Sequence, residues 1–351
     1  MMYKYMISVL VCLVPSQVTA SKPPTIPELL DKYAEMRHKL ESYIVQSETS
    51  RPAKTITLLT GRRIPNKGIP PENEEIRTDG DRFYICERHA SALHIPSTVF
   101  IPNDQWSRTW LWDGKTYYFY GHHTKEYAER YAKEHIDGPE QRERYARRAT
   151  GSITVYTNTD DPNMKSRISK QRPDMLGYSR VYSLLRHAER ASVLDKMETI
   201  DGSECYVIEA ETGPFKSRAW IDPVHGFHIA KMTTWRGGKK LYVEWNVVFK
   251  SIDGIWIPVQ KDFQHFNSGG RWSEDKHGYR ITKIILNPDH DALESFAPAP
   301  QEGSTVAIKG AAGTEEKREY RWQNGRIMDE DGREVDLERL KLAAKRAKQE
   351  Q

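Results

Sequence analysis

Between Asp201 and Phe266 the hydrophobic positions fall into short runs, broken at regular intervals by glycine-containing pairs. Residues 205–209 (CYVIE), 218–222 (RAWID), 227–235 (FHIAKMTTW), 241–249 (LYVEWNVVF) and 255–260 (IWIPVQ) are rich in β-branched and aromatic side chains. Asp201-Gly202, Gly213-Pro214, Gly226, Gly237-Gly238 and Asp253-Gly254 precede or separate them. Such pairs supply the positive φ that tight hairpin turns require. The pattern predicts an antiparallel meander of about five strands.

The pattern before the meander is mixed. Thr25 and Glu28 frame Pro27 as a capping box. Ile26, Leu29, Leu30, Tyr33, Met36 and Leu40 then recur at helical spacing, which predicts an amphipathic helix lying on a sheet face. Strands are expected over 43–49, 54–60, 75–77 and 82–87, and over 106–112 and 116–120 around Asp113-Gly114. On the strand over 106–112, Trp106, Arg108, Trp110 and Trp112 share one face, and Tyr118 and Tyr120 are candidates to pair with them across the turn. An aromatic face of this kind lines an apolar ligand cavity or forms ordinary core, and core is the default.

Residues 122–150 read as a charged insertion with two short helices. Its Arg142, Arg144, Arg147 and Arg148 suit a solvated face better than contact with acidic lipid headgroups. A strand is expected over 152–156, then a polar loop, then a helix over 179–190 with Val181, Leu184, Leu185 and Ala188 on one side. One more strand, 279–286, follows the meander. From Ala297 the composition turns to Ala-Pro repeats, glycine and scattered charge. Residues 299–351 are read as a linker and an appended, mobile tail, holding a small hairpin on Asn324-Gly325 and a charged helix from Leu337.

Composition narrows the class. The net charge of +4 over 351 residues is too small to argue for nucleic acid. Residues 1–20 have the shape of a cleaved secretory signal: Lys4, an apolar run over 5–14, and Val18-Thr19-Ala20 before Ser21. The run is shorter than the ~20 residues of a spanning helix, although an uncleaved anchor is the rival reading. The chain is therefore expected in the periplasm or elsewhere in the cell envelope, with 21–298 as the folded domain.

Two cysteines remain after cleavage, Cys86 and Cys205. In an oxidising compartment they are open to a disulfide, and equally to two buried thiols packed as small hydrophobes. None of the twelve histidines has metal-ligand spacing. GxSxG, phosphate-loop and dinucleotide motifs are missing, so neither metal nor cofactor is expected, and a binding role is favoured over an enzyme.

Several features, in this order, resemble one family. They are the signal, the amphipathic helix ending near Ser42-Tyr43, the Asp-Gly hairpins, and the Glu204-Cys205-Tyr206-Val207-Ile208 run. Trp220-Ile221-Asp222-Pro223 with Gly226-Phe227, the Ile255-Trp256-Ile257-Pro258 run and a closing Phe296 complete the set. The pattern, over roughly residues 26–305, resembles the outer-membrane lipoprotein-sorting proteins of the LolA/LolB-like superfamily and the N-terminal domain of the RseB-type regulators. The resemblance implies an α+β, mostly β fold: a strongly curved antiparallel sheet, an incomplete half-barrel, with helices covering its concave side. It implies a carrier or sensor of a lipid or lipoprotein acyl chain, the alternative being a protein-interaction module, and less readily a secreted hydrolase of unrecognised type. Candidate lining residues under this reading are Trp106, Trp110, Trp112, Tyr118, Tyr120, Tyr242 and Trp245, although neighbours on the other strand faces serve as well.

Overall fold

The computed structural model describes residues 23–50, 55–57, 63–65, 71–88, 106–123, 129, 132–133, 136–149, 151–157, 159, 162–171, 178–266, 276–309 and 320–349. The signal reading over 1–20 and most of the first expected insertion helix lie outside them.

A capping box opens the first helix, α1 (Ile26–Lys39): the Thr25 backbone N–H donates to Glu28 Oε2 at 2.6 Å, and Glu28 N–H returns to Thr25 Oγ1 at 3.4 Å. After β1 (Ser42–Ser50) and a small separate hairpin of β2 (Thr55–Thr57) and β3 (Arg63–Pro65) come β4 (Glu72–Asp79), β5 (Arg82–Arg88), β6 (Trp106–Trp112) and β7 (Tyr117–His123). Next are α2 (Pro139–Ala149), β8 (Ser152–Tyr156), α3 (Pro162–Gln171) and α4 (Tyr178–His187). Short strands β9 (Arg190–Val193) and β10 (Glu198–Ile200) lead into the meander of β11 (Ser203–Thr212), β12 (Phe215–Asp222), β13 (His228–Arg236), β14 (Lys239–Ile252) and β15 (Ile255–His265). The chain closes with β16 (Lys276–Leu286), β17 (Thr305–Lys309), β18 (Tyr320–Gln323), β19 (Arg326–Met328) and α5 (Leu337–Gln349).

Among the described residues, all strands but β2 and β3 join one 17-stranded, open, curved sheet, and the fold is mostly β as the sequence pattern implies. From β9 and β10, which both pair with β11, it runs through β11 to β16 in chain order, then β1, β4 to β8, and β17 to β19. Each of these pairings is antiparallel except that of β8 with β17. The turns are those their residues demand: Asp201-Gly202 closes β10 on β11 with φ of 48° and 87°, and Asp253-Gly254 closes β14 on β15 with 50° and 75°.

The sheet carries hydrophobic cores on both faces. On the concave face α1 and α4 pack together over the sheet, burying Leu29, Tyr33, Val181 and Leu185 against Val45, Ile76, Ile208, Ile221 and Ile257. α3 adds half-buried Met164 and Ile168. This helix lies where the sequence predicted a polar loop. Pro162 suits the first helical position, and Met164 and Ile168 stand four apart on one face.

On the outer face of β5 to β8 lies a second core. Leu111, Tyr118, Tyr120, Ile153 and Val155 are covered there by Phe296, Val306, Ile308, Trp322 and Ile327, with Leu337 and Leu340 of α5 packed alongside. The residues expected as an appended tail thus extend the sheet through β17 and roof its outer face. Lys341 ties α5 to the β6–β7 turn, its Nζ donating to Thr116 Oγ1 at 3.2 Å and to the Lys115 carbonyl at 3.3 Å.

Candidate binding floor on the concave face

Strand alternation sorts the aromatic residues of β5 to β8 by face. One concave row runs Ile76, Ile85, Trp110, Phe119, and the next runs Phe83, Trp112, Tyr117, Tyr156. The rings of Trp110 and Phe119 are 5.7 Å apart, those of Tyr117 and Tyr156 5.5 Å, and the Arg108 guanidinium lies 4.5 Å over Trp110. Tyr117 and Phe83 are fully buried, whereas Trp110, Trp112, Phe119 and Tyr156 are half-buried. Together they form an apolar floor beside the helix-packed core, with surface left to offer.

The lining residues expected from the sequence divide around this floor, some on it and some not. Trp110 and Trp112 lie on it. Trp106 stands opposite His123 at the start of β6, and its side chain lies outside the described ones. Tyr118 and Tyr120 do not pair with the tryptophans: they sit opposite Leu111 and Thr109 on the outer face, beneath the C-terminal segment. The reason is register, since the Asp113 turn places Tyr117, not Tyr118, across from Trp112. Burial pushes both of these phenols up to about 12. Tyr242 is buried on the concave face, its hydroxyl donating to Glu244, which also holds Lys261 at 3.2 Å. Trp245 points to the other face, with Lys276 Nζ 5.6 Å over its ring. Phe119 and Tyr156 go unnamed in the sequence reading: alternation along β7 from Tyr117 points to Phe119, whereas Tyr156 joins the floor only through the pairing of β8 with β7.

The two cysteines are free thiols. Cys86 is on β5 and Cys205 on β11, at distant places in the sheet, so the disulfide left open by the sequence does not form. Burial raises the Cys205 thiol to about 12, which keeps it unreactive.

Titratable groups gather near one turn. Asp222, fully buried, accepts from the backbone N–H groups of Val224 and His225 and stands 2.7 Å from His225 Nδ1. His228 Nε2 donates to the Trp256 carbonyl at 2.6 Å, and burial pulls its imidazole down to about 4. These contacts lock a turn. Among the described residues no group of three or more His, Cys, Asp or Glu is placed to hold a metal, and no helix is long and apolar enough to cross a membrane. A separate groove of about 550 Å³ lies between the hairpin tips at Gly213-Pro214 and Gly237-Gly238, lined by Phe215, Trp235, Glu209, Glu211, Lys216 and Arg218.

No family model matches the sequence, and no curated protein does. Among solved structures the chain is similar to a DUF1329 family protein from Desulfovibrio piger, at 10% identity over 77% of this chain and 95% of that one, with a TM-score of 0.39. It is similar to the Mycobacterium tuberculosis lipoprotein LppX at 12% identity, over 75% and 97% of the two chains, with a TM-score of 0.24. A LolA superfamily protein from Nitrosomonas europaea shares 14% identity over 79% of this chain and 99% of that one, with a TM-score of 0.37. These are distant likenesses of fold and say nothing of what the chain binds. The chain is similar in structure to a LolA superfamily protein, the type that its strand pattern also resembles.

Proposed function

We propose that this chain is a non-catalytic, secreted protein of the cell envelope that shelters the acyl chain of a lipid or lipoprotein against its concave face, as carrier or sensor. The half-buried aromatic floor of Trp110, Trp112, Phe119 and Tyr156 beside the helices carries the reading. Each CH₂ moved from water onto such a surface contributes ~0.8 kcal/mol, so a long chain is held by apolar contact alone. Helices α1 and α4 pack over the neighbouring part of that face, which supports seating the acyl chain on this side of the sheet.

The test is titration of the protein with an apolar fluorescent probe, with Trp110→Ala and Phe119→Ala alongside. Saturable uptake that long-chain lipid displaces, weakened at least about tenfold by either variant, is the expected result. Uptake that both variants leave unchanged contradicts this location for the site.

A protein-docking role is the second reading, favoured by the groove between the two hairpin tips, where Phe215 and Trp235 stand among paired charges. A stoichiometric protein partner lost on Trp235→Ala, with no lipid uptake, would support it instead.

A further inference from the structure

Two neighbouring hairpin tips share one edge of the sheet, where β11 turns into β12 and β13 into β14. Residues 212–216 and 236–240 are exposed without a break, so both tips project into solvent. The tips are nevertheless fixed. Gly237 N–H donates to the Pro214 carbonyl at 3.3 Å, and Gly213 N–H donates to Glu189 Oε1 at 3.0 Å.

Strand pairing sets the side chains of the tips in two cross-strand rows, one on each face. One row reads Phe215, Arg236, Lys239 and the other Lys216, Trp235, Lys240, each residue directly opposite the next. Each face thus carries one aromatic ring beside two cations. The Arg236 guanidinium lies 5.5 Å over the Phe215 ring. Phe215 is 37% exposed, and no other Phe, Tyr or Trp among the described side chains is as open.

The charge of this edge is unbalanced. Glu209 is taken up by Arg218 and by Lys216, the latter at 3.0 Å, and both hold its carboxyl below the usual range. Glu211, the other carboxylate of the β11–β12 hairpin, stands between Lys216 and Arg190. Arg236, Lys239 and Lys240 form no ion pair among the described residues. Arg236 also stands directly opposite Lys239, where like charges repel. An anionic partner relieves that repulsion. Lysine and arginine around exposed aromatic rings suit a lipid surface in particular: the cations are drawn to acidic headgroups, and the rings enter the interface. Two separate projecting tips fit a deformable surface, into which each ring settles on its own.

We propose that this hairpin edge docks the protein on an anionic lipid bilayer, with Phe215 and Trp235 in the headgroup layer and Arg236, Lys239 and Lys240 on lipid phosphates. Docking here is independent of acyl binding on the floor, which lies on other strands.

The experiment is co-sedimentation of the purified protein with vesicles of phosphatidylcholine alone, or of phosphatidylcholine and phosphatidylglycerol in a two-to-one ratio. Binding to the acidic vesicles is expected to be at least about tenfold tighter, and to be lost at about 1 M salt, where screening is nearly complete. Lys239→Glu with Lys240→Glu removes the preference for acidic vesicles. Phe215→Ser weakens binding with the charge unchanged. Arg339→Glu with Arg346→Glu on α5, the same change in net charge at exposed positions elsewhere, leaves binding intact. All these sites are exposed, and unchanged urea midpoints show that the variants fold. Equal binding to both vesicles, a preference that survives the Lys239 and Lys240 reversal, or no binding to either vesicle overturns the proposal. So does binding of soluble polyglutamate without binding of vesicles, which assigns the edge to an acidic protein instead. Trp110→Ala separates this edge from the floor: it diminishes probe uptake and leaves vesicle binding unchanged.

Discussion

At the scale of single residues, the most consequential side chains are buried polar ones whose partners are fixed. Asp222 organises the turn after β12 through two backbone N–H groups and His225. Asp222→Asn keeps the shape but loses the charge and part of the acceptor set, and is expected to cost about 1–3 kcal/mol in chemical denaturation. His228 makes stability depend on pH. Its imidazole ordinarily titrates near 6.5, and burial lowers this to about 4, offset in part by the Trp256 carbonyl and Asp222 and reinforced by His225 and Lys261. Between those two values the unfolded chain takes up a proton that the folded chain refuses, so stability falls as pH drops from 6.5 towards 4, by at most about 3 kcal/mol, and is unaffected above that window. Urea midpoints measured across this range should decline, and His228→Gln, which still carries a donor for the carbonyl, should flatten the decline.

At the scale of elements, the C-terminal segment is a working part of the sheet. Trp322 is 6% exposed between β17 and the outer faces of β7 and β8. Trp322→Ala should therefore cost ~3–5 kcal/mol, read as a shift of the denaturation midpoint. An independent, mobile tail would show no shift. Sequence signals were strongest where local chemistry decides structure. Asp-Gly turns and alternating runs revealed the meander, and the Thr25–Glu28 pair revealed the start of α1. They were weakest where distant contacts decide. The Ala-Pro and glycine composition after Ala297 reads as linker, because the apolar outer face that recruits Val306, Ile308 and Trp322 belongs to strands more than a hundred residues earlier. The short strands β9 and β10 owe their place to pairing with β11, not to their own propensity.

The candidate floor was legible in part, for a related reason. Trp110 and Trp112 stood out because tryptophans alternate along one strand. Tyr118 and Tyr120 were expected beside them because hairpin register depends on where the loop ends, and a loop closed by Asp113 moves the pairing by one residue.

At the scale of the whole molecule, the open sheet separates two environments. Its outer face over β5 to β8 is closed by the chain's own C-terminal segment, while its concave face keeps a half-buried aromatic surface next to α1 and α4. That asymmetry is the basis for assigning ligand binding to the concave side. The most direct measurement is a native mass spectrum of the protein purified without detergent from the envelope of its host. A discrete added mass that organic extraction removes, and that Trp110→Ala diminishes while Tyr118→Phe on the outer face does not, is the predicted result. A bare protein mass that stays bare after incubation with lipid extract would contradict acyl binding on the concave floor.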